Sequence, residues 1–115
     1  MHELSVASAV LATSVRYAEG RPVEVVALRV GALRQVVPDS LRFYWGIVAQ
    51  GSVCEDARLE LTEIDTRLRC DGCDHEWELG IPSFRCPACG AGEVAVIAGN
   101  ELEVDYIEVR ELAHA

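Results

Sequence analysis

At 115 residues the chain is long enough for one domain, or for a small domain carrying an insertion. Half of its residues are hydrophobic, so a buried core is available, and its formal charge of −9 argues against nucleic-acid binding, which rests on cationic neutralisation of phosphate. No run of about 18 apolar residues occurs and the start lacks the basic and apolar regions of a signal peptide, so no membrane association is expected and a cytoplasmic location is.

Apolar positions Leu4, Ala7, Leu11, Val15 and Ala18 recur at helical spacing and predict a helix over about residues 3–19, ended by Gly20 and Pro22. Residues 23–30 are rich in β-branched side chains and read as a buried strand, broken by Gly31. Pro38 and Asp39 open a second helix that runs to about residue 50, with Leu41, Tyr44, Trp45 and Val48 on one face and Gly51 as its stop. Residues 58–64 alternate as a strand. Gly99-Asn100 signals a turn, after which Leu102, Val104 and Tyr106 alternate with Glu101, Glu103 and Asp105 in a last strand. The acidic side of that strand, with Glu108, reads as a solvated sheet face.

Between these strands stand two cysteine pairs, Cys70-Asp71-Gly72-Cys73 and Cys86-Pro87-Ala88-Cys89, separated by twelve residues. Two-residue spacing lets both sulfurs of one tight turn face the same ion, and twelve residues suffice for a hairpin that brings the second turn over the first. Four thiolates saturate tetrahedral Zn²⁺ and leave no open position, so a closed structural site in a zinc ribbon is expected. Iron in the same S₄ cage, as a one-electron carrier, is the alternative metal. Disulfides would require an oxidising compartment.

The ribbon, at about residues 66–98, is too small to bury the apolar side of the last strand. That strand should therefore return to the sheet built by the strands near residues 23 and 58. The expected fold is α+β: two helices on a roughly three-stranded mixed sheet, with the zinc ribbon inserted. Residues 1–65 plus 99–115 would form one domain and 66–98 the other. Cys54 reads as a buried small hydrophobe, Trp45 as core, and His114 as chain-end tail. Trp77 could pack on the cysteine turns or face the rest of the molecule. No catalytic constellation can be argued, so no enzymatic activity is expected.

His2 on its own reads as a solvated side chain. A large residue at position 2 blocks removal of the initiator methionine, however, which would leave Met1 with a free amine. That amine, the His2 amide nitrogen and imidazole, and the Glu3 amide nitrogen can supply four in-plane nitrogens to Ni²⁺ or Cu²⁺. Such a chelate needs deprotonated amides and should fail in mild acid. The plainer reading of Glu3 is a favourable charge at the first turn of a helix.

Met1-His2-Glu3-Leu4-Ser5, Val30-Gly31-Ala32-Leu33, Pro38-Asp39-Ser40-Leu41, the paired cysteines and Gly99-Asn100-Glu101-Leu102 resemble, in order and over essentially the whole chain, the HypA/HybF family of hydrogenase maturation factors. The resemblance implies a nickel metallochaperone delivering Ni²⁺ for the [NiFe]-hydrogenase, working with a nickel-insertion GTPase and the hydrogenase large-subunit precursor. It assigns nickel to Met1, His2 and Glu3 and structural zinc to Cys70, Cys73, Cys86 and Cys89. Some family members carry a histidine shortly after each cysteine pair. Here His75 follows Cys73 by two residues, but Gly90 follows Cys89 directly, so zinc should keep four sulfurs as pH falls through the histidine range. The competing reading is a zinc-ribbon interaction module without a nickel role.

Overall fold

The computed structural model describes residues 3–79 and 84–111. Helix α1 (Glu3–Ala18) starts with an acidic residue and places Arg16 in its last turn, both favourable to the helix dipole. It ends where Glu19 and Gly20 adopt positive φ of 52° and 81°, and the Arg21 guanidinium donates to the Ala18 carbonyl at 2.9 Å. The buried side of α1 is Val6, Ala7, Val10, Ser14 and Ala18, whereas Leu4 and Val15 of the expected stripe are exposed. The face is rotated because Ser14 lies on the core side. Its hydroxyl donates to the Val10 carbonyl at 2.8 Å, so a polar residue is buried without an unpaired group.

Strand β1 (Val23–Gly31) is buried along nearly its whole length. A 3₁₀ turn (Ala32–Arg34) follows, then helix α2 (Pro38–Val48), with proline in the first helical position, where its missing N–H is harmless. Leu41 and Trp45 face the core as expected, Tyr44 and Val48 flank them, and the Trp45 indole N–H donates to the Ala57 carbonyl at 3.1 Å. That bond ties α2 to the start of strand β2 (Arg58–Ile64). Helix α2 is the crossover that lets β2 lie parallel to β1.

Three short strands come next: β3 (Arg67–Cys70), β4 (Glu76–Glu78) and β5 (Val94–Ala98). They form their own antiparallel sheet in the order β4-β3-β5. The chain then returns as β6 (Leu102–Val109), antiparallel to β1, and completes a mixed sheet of order β2-β1-β6. The last strand thus rejoins the first sheet, but through β1 alone. Its alternation also departs from the expected one. The register slips between Ala27 and Leu28, so Asp105 is an extra residue, Tyr106 points outward and Ile107 takes the inward place.

The two chain segments leading into and out of the small sheet meet at Thr66 and Gly99. Gly31 N–H donates to the Glu101 carbonyl at 2.7 Å, Leu33 N–H to the Gly99 carbonyl at 2.9 Å, and the Arg34 guanidinium to the Asn100 carbonyl at 2.9 Å. Gly99 N–H is held by the Glu101 carboxylate at 2.7 Å. A Cβ on Gly31 would run into the Gly99 carbonyl, and one on Gly99, whose φ is +106°, would lie 2.5 Å from Thr66 Cα. Gly31→Ala is therefore expected to lower the unfolding free energy by about 1–3 kcal/mol in a urea titration. Gly46→Ala is the contrast: in α2 a Cβ there meets nothing within 4 Å, and a gain of roughly 0.5–1 kcal/mol is expected.

Candidate metal centre

The cysteine quartet converges in the small sheet. Cys70 closes β3, and Cys73 ends the tight turn that follows it. Cys86 and Cys89 bracket a second turn before β5. The ligand atoms of all four lie within 4.8 Å of one another, with Cys70 Sγ 3.6 Å from Cys89 Sγ and Cys73 Sγ 3.6 Å from Cys86 Sγ. A tetrahedron of thiolates around Zn²⁺, with Zn–S of about 2.3 Å, has edges of about 3.8 Å. The donor set fits that ion in number, type and spacing, and all five cysteines of the chain are free.

The two turns are built alike. In the first, Cys70 N–H donates to the His75 carbonyl, Asp74 N–H to the Cys70 carbonyl, and Gly72 N–H to Cys70 Sγ. In the second, Cys86 N–H donates to the Ala91 carbonyl, Gly90 N–H to the Cys86 carbonyl, and Ala88 N–H to Cys86 Sγ. Asp74 at φ 61° matches Gly90 at φ 76°. Asparagine and aspartate tolerate this left-handed conformation better than other side chains, which is why a non-glycine residue can close the first turn. The two-fold correspondence pairs His75 with Ala91. A second imidazole therefore has no counterpart to come from. His75 stacks instead on Trp77, with ring centroids 5.8 Å apart and planes inclined by 14°.

The site has a buried side, Cys70 and Cys86, and an exposed side, Cys73 and Cys89. Without an ion the thiols titrate against one another. The His75 backbone N–H favours the Cys73 thiolate, yet the neighbouring cysteine sulfurs and desolvation outweigh it and push Cys73 up to about 12. Cys86 is brought down to about 7: desolvation opposes this, but the N–H groups of Cys89 and Ala88 and the adjacent sulfurs prevail. Cys89 is raised, because the crowding of sulfurs overcomes the N–H of Ala91. The cluster thus favours the thiolate at Cys86 and the thiol at Cys73 and Cys89.

Of the residues expected to hold nickel, Glu3 is the first residue of α1, and Met1 and His2 lie outside the described residues, as does His114. Cys54 is fully buried in the larger core, and burial raises its thiol. Trp77 is half-buried on β4, opposite Leu68 in the pairing with β3, with its ring stacked on His75. Thr66, which meets Gly99 at the junction, lies in no motif, whereas Gly31, Gly99 and Glu101 fall within the segments Val30-Gly31-Ala32-Leu33 and Gly99-Asn100-Glu101-Leu102. Among the described residues, no helix is long and apolar enough to cross a membrane.

Fold and site define a class: a small α+β protein with an inserted ribbon whose two cysteine turns form a closed four-thiolate metal site. A family model described as hydrogenase/urease nickel incorporation, metallochaperone, hypA matches residues 1–109. The hydrogenase maturation factor HypA of Rippkaea orientalis is 38% identical over 97% of this chain and 98% of its own length. That of Streptomyces avermitilis is 41% identical over 90% and 83%. The solution structure of the Ni metallochaperone HypA from Helicobacter pylori superposes with a TM-score of 0.71 over 95% of this chain and 97% of that one, at 24% identity, and so shares the fold. The chain belongs to the HypA family.

Two outcomes are expected. Cys86→Ser should bring bound zinc to background by elemental analysis and erase the amide signals of β3 to β5 in an NMR spectrum, while those of α1 and β1 persist. Zinc uptake by the metal-free protein should release protons, because all four sulfurs bind as thiolates. Its apparent affinity should accordingly rise with pH from about 6 to 8, as competition with a chelator would show.

Proposed function

We propose that this chain is a nickel metallochaperone for maturation of [NiFe]-hydrogenase, with zinc as a structural ion and nickel as cargo. The observation that carries the reading is the family match, which begins at residue 1 and so includes Met1-His2-Glu3. The start of α1 supports the assignment chemically. The first N–H groups of a helix have no intrahelical acceptor, so the Glu3 amide nitrogen is free of the hydrogen-bond ladder and open to deprotonation. The Met1 amine, the His2 amide and imidazole and the Glu3 amide would then bind Ni²⁺ in one plane.

The two metals have opposite requirements. Zinc in a closed S₄ cage holds residues 66–98 together as a domain of their own, and its binding free energy is folding free energy. Cargo must leave, so it belongs at a chain end where nitrogens can be exchanged one at a time for those of an acceptor. The acceptors on this reading are a nickel-insertion GTPase and, through it, the hydrogenase large-subunit precursor, in the cytoplasm and without catalysis by this chain. Copper binds such nitrogens more tightly than nickel, so selectivity comes from metal supply and docking.

The chain contains no lysine, so mild acylation of protein beginning at Met1 modifies the α-amine alone. Nickel titration of zinc-loaded protein should give stoichiometric binding that disappears after acetylation and in His2→Ala, with zinc content unchanged in both. Retention of nickel by either form would move the site elsewhere. Loss of zinc from His2→Ala would refute the separation of the two sites.

A further inference from the structure

The larger sheet ends at β6, and among the described residues no strand pairs with its outer side. Gly31 N–H donates to the Glu101 carbonyl and Arg110 N–H to the Pro22 carbonyl, so residues 101 and 110 address β1 at the two ends of the ladder. Alternation along an antiparallel pair then leaves the backbone groups of Leu102, Val104 and Ile107 directed to the free side. The same residues turn their side chains toward the core, which they only partly reach.

Beyond that edge lies a trough under α1. Two cavities line up along it. One, of about 290 Å³, is lined by Val6 and Val10 of α1 with Leu102 and Val104 of β6. The other, of about 320 Å³, is lined by Tyr17 with Val104, Asp105, Tyr106 and Ile107 and so reaches round the edge of β6. A sheet edge with an apolar trough between it and a helix is the arrangement in which an added strand makes main-chain bonds on one side and buries alternate side chains beneath. The outer face of β6 carries exposed Asp105 and Glu108, while Glu103 beside them is ion-paired with Arg29 of β1 at 2.6 Å.

We propose that the β6 edge binds an extended segment of a partner protein in which apolar residues alternate with basic ones. The apolar side chains enter the trough below α1, and the basic ones lie beside Asp105 and Glu108. Charge selects this occupant over a second copy of the chain. Two β6 edges paired together would set these acidic side chains against one another, which destabilises a strand pair. The inference is independent of the nickel assignment, since nothing in it uses the N-terminal nitrogens.

The test is titration of the full zinc-loaded chain with a short, end-capped peptide alternating arginine and valine, followed by amide shifts in NMR. Shifts confined to β6 and to the Val6–Tyr17 side of α1 are expected. Binding should weaken by about tenfold when alternate peptide bonds are N-methylated, because the added strand loses its ladder. The double variant Asp105→Arg/Glu108→Arg, with its fold checked by circular dichroism and zinc content, should reverse the preference toward a glutamate–valine peptide. Absence of binding, shifts located elsewhere, or affinity indifferent to N-methylation would overturn the proposal. So would sedimentation showing that the chain dimerises through β6. The N-methylated peptide decides the matter even if the double variant fails to fold.

Discussion

The backbone of Gly99 lies against both Gly31 and Thr66, with no room for a Cβ on either glycine. Everything after β2 depends on this contact. The chain leaves the larger sheet at residue 65, builds a second sheet, and must re-enter within reach of β1, the central strand, for β6 to pair at all. Hydrogen bonds from Gly31 to Glu101 and from Leu33 to Gly99 fix where it re-enters. The Glu101 carboxylate is held below its usual range chiefly by backbone N–H donation, its own and that of Gly99, so an ionised side chain braces the turn. A tight glycine crossing is a compact solution to carrying an insertion. It costs little volume, and it keeps the register of the parent sheet unaffected by what is inserted.

The ribbon uses a different source of order. Among the described residues of the ribbon, the buried apolar side chains are Leu68, Cys70 and Cys86. Apolar burial on that scale does not hold a fold in water. The thiols cannot do so alone, because crowding keeps some of them protonated, as the raised Cys73 and Cys89 and the lowered Cys86 show. A dication held by the four cysteines would remove that conflict by making every sulfur a bound thiolate. The N–H groups aimed at Cys70 and Cys86 then spread the remaining negative charge into the backbone.

Much of this was legible in the residues. Proline and glycine punctuation located both helices and the strands of the larger sheet to within a few positions, and spacing alone brought the cysteines together. Two errors have a common origin. The expected α1 stripe of Leu4, Ala7, Leu11, Val15 and Ala18 holds at Ala7, Leu11 and Ala18, but Ser14 satisfies its hydroxyl locally and takes a core position, while Leu4 and Val15 stay in solvent. Tyr106 was read as inward because alternation was extended through Asp105, where the strand gains a residue. Hydropathy has no notation for a self-satisfied hydroxyl or for a bulge. Asp74 carries no sequence signal for a related reason: its left-handed backbone follows only from the correspondence of the first cysteine turn with the second.

The place of the proposed cargo site at the head of α1 also has an electrostatic logic. A helix N-terminus carries about half a positive charge, which opposes a bare divalent cation. Two deprotonated amides neutralise Ni²⁺, so the chelate itself is uncharged and the helix does not oppose it. The same positive end favours the amidates, and Glu3 in the first turn offsets it for an incoming ion. When either amide regains its proton the balance reverses: the metal recovers net charge beside a positive helix end and loses a ligand in the same step. On the proposed reading one protonation event would expel nickel, whereas zinc, remote in sequence and enclosed by four sulfurs, would respond only to protonation of its own thiolates. Holding cargo by ionised backbone at a helix start thus couples retention to proton activity, without any movement of the sheet behind it.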